Sequence, residues 1–203
     1  MGAHAFEMED VSPDDWLYRY VMRGLDFGLI TGTGGDSFRF EPNCPVTRAE
    51  FVTMLGRLHE YQDGNSIDHP ADGTFYGRYL AWAVEHGIVQ GNQHGDLRPR
   101  ALITREQMAV MVYRYIDAFE LWEYFEHPYG VPGGIRDDGF SPWALHSVWF
   151  LRDKLLLRIG NASFRPQDAV SRTEALTLLV RVCSAVYALE HPLRRDNGHR
   201  STA

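Results

Sequence analysis

Cysteine is nearly missing: Cys44 and Cys183 are the only two in 203 residues, so no disulfide framework can staple this chain. Cys183 falls in an apolar helical run and is expected in the core, which leaves the redox compartment open. Apolar runs of the roughly 20 residues that a membrane-spanning helix needs are missing too, so no membrane insertion is expected. The opening MGAHAFEMED has neither a basic start nor an apolar segment, and no signal peptide is read in it. Basic runs do not exceed the pair Arg194-Arg195, and the formal net charge is −7. Nucleic-acid binding needs a basic face that releases counterions, so nucleic acid is excluded as a partner. Any other anionic partner must be held by a few local arginines against the overall field.

Metal and phosphate motifs are equally thin. Nine histidines are present, but there is no H-E-x-x-H and no Cys-x-x-Cys, and His86 and His94 fall in different expected elements. GTGGDS misses the G-x-G-x-x-G pattern, and DHPADG lacks the order of a calcium loop. No metal and no cofactor is expected. A glycosidase would need a paired acid and base, yet no Asp or Glu pair stands apart from capping and turn positions. The chain is not expected to be an enzyme.

What is present is a repeat. With 44% apolar and 13% aromatic residues, the chain has ample material for a core. The stretches TRAE (47–50), TREQ (104–107) and SRTE (171–174) each read as a capping box, in which the first hydroxyl accepts from the N–H three residues on and that residue's side chain reaches back. The second position is arginine every time: Arg48, Arg105 and Arg172. A cation there mildly opposes the helix dipole, so its recurrence asks for another reason.

Aligning on the arginines, 57 and 67 positions apart, brings more into register. Pro42, Pro99 and Pro166 stand five residues before the box hydroxyls, and Phe40, Leu97 and Phe164 two residues before the prolines. Upstream come the turns GLITG (28–32), GIVQG (87–91) and the degenerate LLLRIG (155–160), and twelve residues before each turn an aromatic: Trp16, Phe75 and Trp143. Each unit reads as helix, glycine-rich loop, helix. The first helix is expected over about 13–27 with Gly28 as its C-cap, and the second from Thr47, burying Phe51, Met54, Leu55 and Leu58. Linkers fall at 61–73 and 127–139, rich in Gly, Pro and Asp. The units are placed at 6–60, 67–118 and 135–190, with a flexible tail over 191–203. Two-helix units cannot bury both faces alone, so the three should share one core.

These features resemble the S-layer homology (SLH) family, in which three such modules act together. The resemblance covers about residues 6–190 and rests on FEMEDVSPDDW (6–16), GLITG, FEPNCPVTRAEF and their two weaker copies. The second unit departs with Gln107 for Glu and Phe75 for Trp. The third departs with Ser171 and Thr173, with Leu155 where the turn's first glycine belongs, and with a shifted Gly160. The resemblance implies an all-α fold of three helix-loop-helix repeats, in a pseudo-threefold arrangement around a central helix bundle. It also implies a module that holds bacterial surface proteins on cell-wall polysaccharide, often through a pyruvylated N-acetylmannosamine, and hence an extracellular place at the cell wall.

By the same resemblance, recognition of the acidic sugar falls to Arg48, Arg105 and Arg172. The loop residues Gly32, Asp36, Gly91, Asp96 and Gly160 and the aromatics Trp16 and Trp143 complete the candidate ligand set. From the residues themselves, an arginine at a helix start beside free N–H groups suits a carboxylate. The competing reading makes the arginines solvated, or paired with Asp10, Asp68 or Asp137. The repeated aromatics read as core anchors ahead of sugar platforms. As an isolated module the chain is expected to be monomeric. A helical-repeat scaffold that binds protein is the alternative function.

Overall fold

A computed structural model describes residues 7–31, 37–70, 72–125, 139–153 and 164–190. The chain is all-α in class, and its described residues form six α-helices: α1 Tyr18–Asp26, α2 Arg48–Asp63, α3 Gly77–Glu85, α4 Arg105–Ala118, α5 Leu145–Asp153 and α6 Arg172–Glu190. A 3-10 turn, Leu121–Tyr124, follows α4, and one two-residue parallel pairing joins β1 (Glu7–Met8) to β2 (Ser37–Phe38).

Local chemistry sets the helix limits. Thr47 accepts from the Glu50 N–H at 3.2 Å while the Glu50 carboxylate accepts from the Thr47 N–H at 2.7 Å. Thr104 with Gln107, and Ser171 with Glu174, repeat this reciprocal cap. All three boxes are therefore formed as the spacing requires. The first helix is shorter than its apolar face suggests. The Leu17 N–H donates to the Asp15 side chain at 2.8 Å and the Asp15 N–H to the Ser12 carbonyl at 2.9 Å. Short polar side chains compete with helical bonding in this way, and α1 begins only at Tyr18. At its far end Phe27 is the cap residue and Gly28 follows at φ +67°. The Leu29 N–H then reaches back to the Gly24 carbonyl at 2.8 Å, closing the helix through a left-handed glycine.

One continuous apolar core draws on all three units, including Leu55 and Leu58, Met108 and Val112, and Leu176 and Leu179. Cys183 is buried within it, as expected. The helix pairing runs between units. Among the described helices, α3 packs on α2, α5 on α4 and α1 on α6, so each unit's first helix lies on the second helix of the unit before it, cyclically. Gly56 makes the α2–α3 approach possible, since a Cβ there would run into the ring of Tyr79.

The loops close the same cycle through backbone hydrogen bonds. Val46 N–H donates to the Val170 carbonyl at 2.9 Å, Val170 to Ile103 at 3.0 Å, and Ile103 to Val46 at 3.0 Å. All three side chains are buried. Around this triangle, the N–H groups of Arg48, Arg105 and Arg172 donate to the carbonyls of Ala101, Asp168 and Cys44 at 2.9, 3.1 and 2.9 Å.

Candidate ligand groove

Those last bonds correct one expectation. The first-turn N–H groups of the arginine-bearing helices are not free for an anion. In α2, Arg48 donates to Ala101, Ala49 to Pro99 at 2.9 Å, and Glu50 to the Thr47 hydroxyl. In α4 and α6 the donors are taken in the same pattern. Each helix start is capped by the loop of a neighbouring unit, which leaves only the guanidinium groups to attract a carboxylate.

The guanidiniums also reach across units. Arg48 Nε donates to the Leu97 carbonyl at 2.8 Å, Arg105 Nη1 to the Phe164 carbonyl at 3.0 Å, and Arg172 Nε to the Phe40 carbonyl at 2.6 Å. The acceptors are the three apolar residues in register before the prolines. Arg172 also lies over the Phe40 ring, 5.3 Å from its centroid. These carbonyls explain why a cation stands in each first turn: it braces the following unit's loop.

Beyond this shared bond the arginines differ. Arg105 forms a close ion pair with Glu174, its Nε donating to Oε1 at 2.8 Å. Arg48 meets the Gln107 side-chain oxygen and the Gln90 carbonyl, both at 3.4 Å. The intramolecular partner expected among Asp10, Asp68 and Asp137 is thus Glu174 for Arg105. Asp10 instead accepts from the N–H groups of Phe40 and Glu41 at 2.9 and 2.6 Å, steadying a turn in which Glu41 sits at φ +57°. Asp137 lies outside the described residues.

A cleft of about 640 Å³ opens beside Arg48. Its walls come from the second unit's loop (Gln90, Gly91, Asn92, Asp96, Leu97, Arg98), from one face of α4 (Gln107, Val110, Met111, Arg114), and from Trp143 of the third unit. Three guanidiniums, Arg48, Arg98 and Arg114, share these walls with a single carboxylate, Asp96. Burial pushes the Arg48 pKa down, Arg98 pushes in the same direction, and Asp96 opposes them. Burial alone lowers Arg114. A cation held in a partly dehydrated wall gains from an incoming anion.

The sequence-expected loop residues here have structural work. The Asp96 carboxylate accepts from the Arg98 N–H at 2.9 Å, holding Arg98 at φ +49°. Gly91 is required by close approach: a Cβ there would stand 2.5 Å from the Gly95 backbone. Gly32, Asp36 and Gly160 lie outside the described residues.

The repeated aromatics are not core anchors. Trp16, Phe75 and Trp143 are 57%, 64% and 56% exposed. The adjoining Leu17 and Ala144 are buried instead, so in the first and third units the core-facing position lies one residue later than the aromatic marker, whereas Tyr76 of the second unit is half-buried. Trp143 faces the Arg48 cleft, whereas Trp16 stands edge-on to Tyr20 with ring centroids 5.9 Å apart. Sequence reasoning missed Arg98, Gln90 and Arg114 as groove residues. Arg114 was findable, because Gln107, Met111 and Arg114 follow the i, i+4, i+7 spacing of one helix face.

A family model described as the S-layer homology domain matches residues 7–52 and 70–109. Over 200 residues the chain is 34% identical to an endoglucanase of Bacillus sp. (strain KSM-635), covering 91% of this chain and 20% of that protein. It is 33% identical over 147 residues to an amylopullulanase of Thermoanaerobacterium thermosulfurigenes, covering 70% of this chain and 8% of that protein. It is 28% identical over 116 residues to a surface-layer 125 kDa protein of Lysinibacillus sphaericus, covering 54% and 10%. The chain therefore spans a fifth or less of the length of these relatives.

Proposed function

Because the chain belongs to the S-layer homology family, we propose that it is a non-catalytic anchoring module that binds acidic, pyruvylated secondary cell-wall polysaccharide at the bacterial surface. The units at 6–60, 67–118 and 135–190 form a pseudo-threefold set of grooves, a reading supported by the cyclic bonds among Val46, Ile103 and Val170. The endoglucanase and amylopullulanase relatives extend far beyond the part this chain matches, which is 20% and 8% of their length.

The observation that carries the proposal is the composition of the Arg48 cleft. Three guanidiniums against one carboxylate, in a chain of net charge −7, concentrate positive potential in one recess. Trp143 offers an exposed ring at its edge, suited to the apolar face of a sugar. A pyruvyl carboxylate would displace the two 3.4 Å contacts of Arg48 while Nε keeps its bond to Leu97.

Calorimetric titration with pyruvylated and depyruvylated wall polysaccharide tests this. Wild type should bind the first and not the second. A charge-assisted hydrogen bond contributes about 1.5–3 kcal/mol, so Arg48→Ala should weaken binding roughly ten- to a hundredfold. Arg48→Lys should recover only part of this, having lost the planar fork. Equal binding of both polysaccharides would overturn the acidic-glycan reading.

A further inference from the structure

We propose that Gln107 leaves Arg48 open to the carboxylate of an acidic glycan, whereas Glu174, its counterpart in the next unit, occupies Arg105. This rests on the anchoring role proposed above and adds which arginine is open and what decides it.

Gln107 and Glu174 hold the same position in consecutive units, third in the helix after the capping hydroxyl. Each does the same local work, accepting from the cap N–H: Gln107 Oε1 from Thr104 at 3.4 Å, and Glu174 Oε2 from Ser171 at 2.9 Å. Each also faces the arginine of the preceding unit. Glu174 turns its second oxygen, Oε1, on Arg105, which meets it with both Nε and Nη2. Gln107 has one oxygen and no charge to offer Arg48, and that contact stretches to 3.4 Å. Among the described residues no carboxylate lies within ion-pair distance of the Arg48 guanidinium.

A second position agrees. Arg98 and Arg165 are equivalent, each directly before its unit's proline. Arg165 pairs with Asp168 at 3.2 Å. The residue in register with Asp168 is Ala101, which lines the Arg48 cleft without a charge. Both arginines bordering Glu174 and Asp168 are thus neutralised, and both carboxylates are replaced by uncharged residues in the Arg48 groove. A ligand carboxylate approaching Arg105 must first expel Glu174 and would then lie beside it. At Arg48 it displaces one long amide contact. Electrostatic repulsion of this kind discriminates between otherwise similar sites.

The molecule itself supplies conservative variants. Glutamate already serves this cap at residues 50 and 174, and glutamine at 107, so Gln107→Glu and Glu174→Gln both keep the capping box. The probe is a soluble pyruvylated N-acetylmannosamine glycoside, with its uncharged methyl ester as control, titrated calorimetrically alongside thermal melts. Gln107→Glu should weaken acid binding at least tenfold with an unchanged melt. Glu174→Gln should leave binding at the Arg48 cleft as in wild type. If Gln107→Glu binds as wild type while Arg48→Ala does not bind, the charge-pairing inference is wrong and the anchoring role stands. If Arg48→Ala binds as wild type, or wild type prefers the methyl ester, the groove assignment beneath it fails as well.

Discussion

Arg172 Nε donates to the backbone carbonyl of Phe40 at 2.6 Å, a contact spanning 132 positions of the chain. It ties the last repeated helix to the first repeated loop, and α1 packs on that same helix. The ends of the described chain therefore complete each other. Removing everything after Phe119 takes away α5 and α6 and leaves α1 without its partner helix. Such a truncation should lose cooperative thermal unfolding and bind a hydrophobic dye, as a loosely packed chain does. A sharp melt from residues 1–119 would show that the cyclic packing is dispensable.

Equivalent arginines are expected to differ in what they contribute to stability. An arginine that merely sat on the surface could be replaced within about 0.5 kcal/mol, which is what first-turn position alone suggests. The bond from Arg172 to Phe40 and its placement over the Phe40 ring argue for more. A net hydrogen bond of about 0.5–1.5 kcal/mol with a modest cation–π contribution of about 0.5–1 kcal/mol puts Arg172→Ala at roughly 1–2 kcal/mol. Urea denaturation of the variant measures this directly. A loss below about 0.5 kcal/mol would mean that the loop holds its shape without the brace.

Trp143 and Trp16 occupy the same place in the repeat and are almost equally exposed, yet only Trp143 borders the Arg48 cleft. Replacing either by Ala should leave the melt nearly unchanged. Trp143→Ala should weaken glycan binding about three- to tenfold, corresponding to aromatic contact energies of about 0.5–1.5 kcal/mol. Trp16→Ala should bind this groove's ligand as wild type does. Quenching of tryptophan fluorescence on titration separates the two, since the signal should vanish with Trp143 and persist without Trp16.

How much of this was legible depended on the range of each interaction. The capping boxes span four residues, so their chemistry was complete in the sequence and all three are formed. The buried faces of α2, α4 and α6 followed from helical spacing. The helix partners did not: a repeat shows that α1, α3 and α5 are equivalent, but not whether each packs on its own unit or on its neighbour. The start of α1 was misread because the Ser12 and Asp15 bonds defeat a helix that apolar spacing alone would extend. The departure at Gln107 was visible in sequence, yet its consequence was not. That needed Arg48, 59 positions away, to stand opposite it.

Acid should loosen the aromatic cluster at the α2–α3 contact. The His59 ring stacks on Trp82 with centroids 5.1 Å apart and on Phe119 at 4.2 Å, while His86 packs against the same two rings. Burial lowers the His59 pKa below that of a free histidine; Asp63 and Glu60 oppose this, and His86 adds to it. The unfolded chain therefore takes up the proton more readily than the folded one. Stability conferred by neutral His59 is fully present above the unfolded value of about 6.5 and is lost as pH falls toward the folded value. Wild type should thus melt progressively earlier between about pH 7.5 and pH 5. His59→Phe keeps an aromatic ring against Trp82 and Phe119 and removes the titration, so its melting temperature should fall less over the same range. Carboxylates elsewhere contribute to both proteins, which makes the difference between the two slopes the informative quantity. Parallel slopes would mean that His59 takes its proton as readily in the folded protein as in the unfolded one.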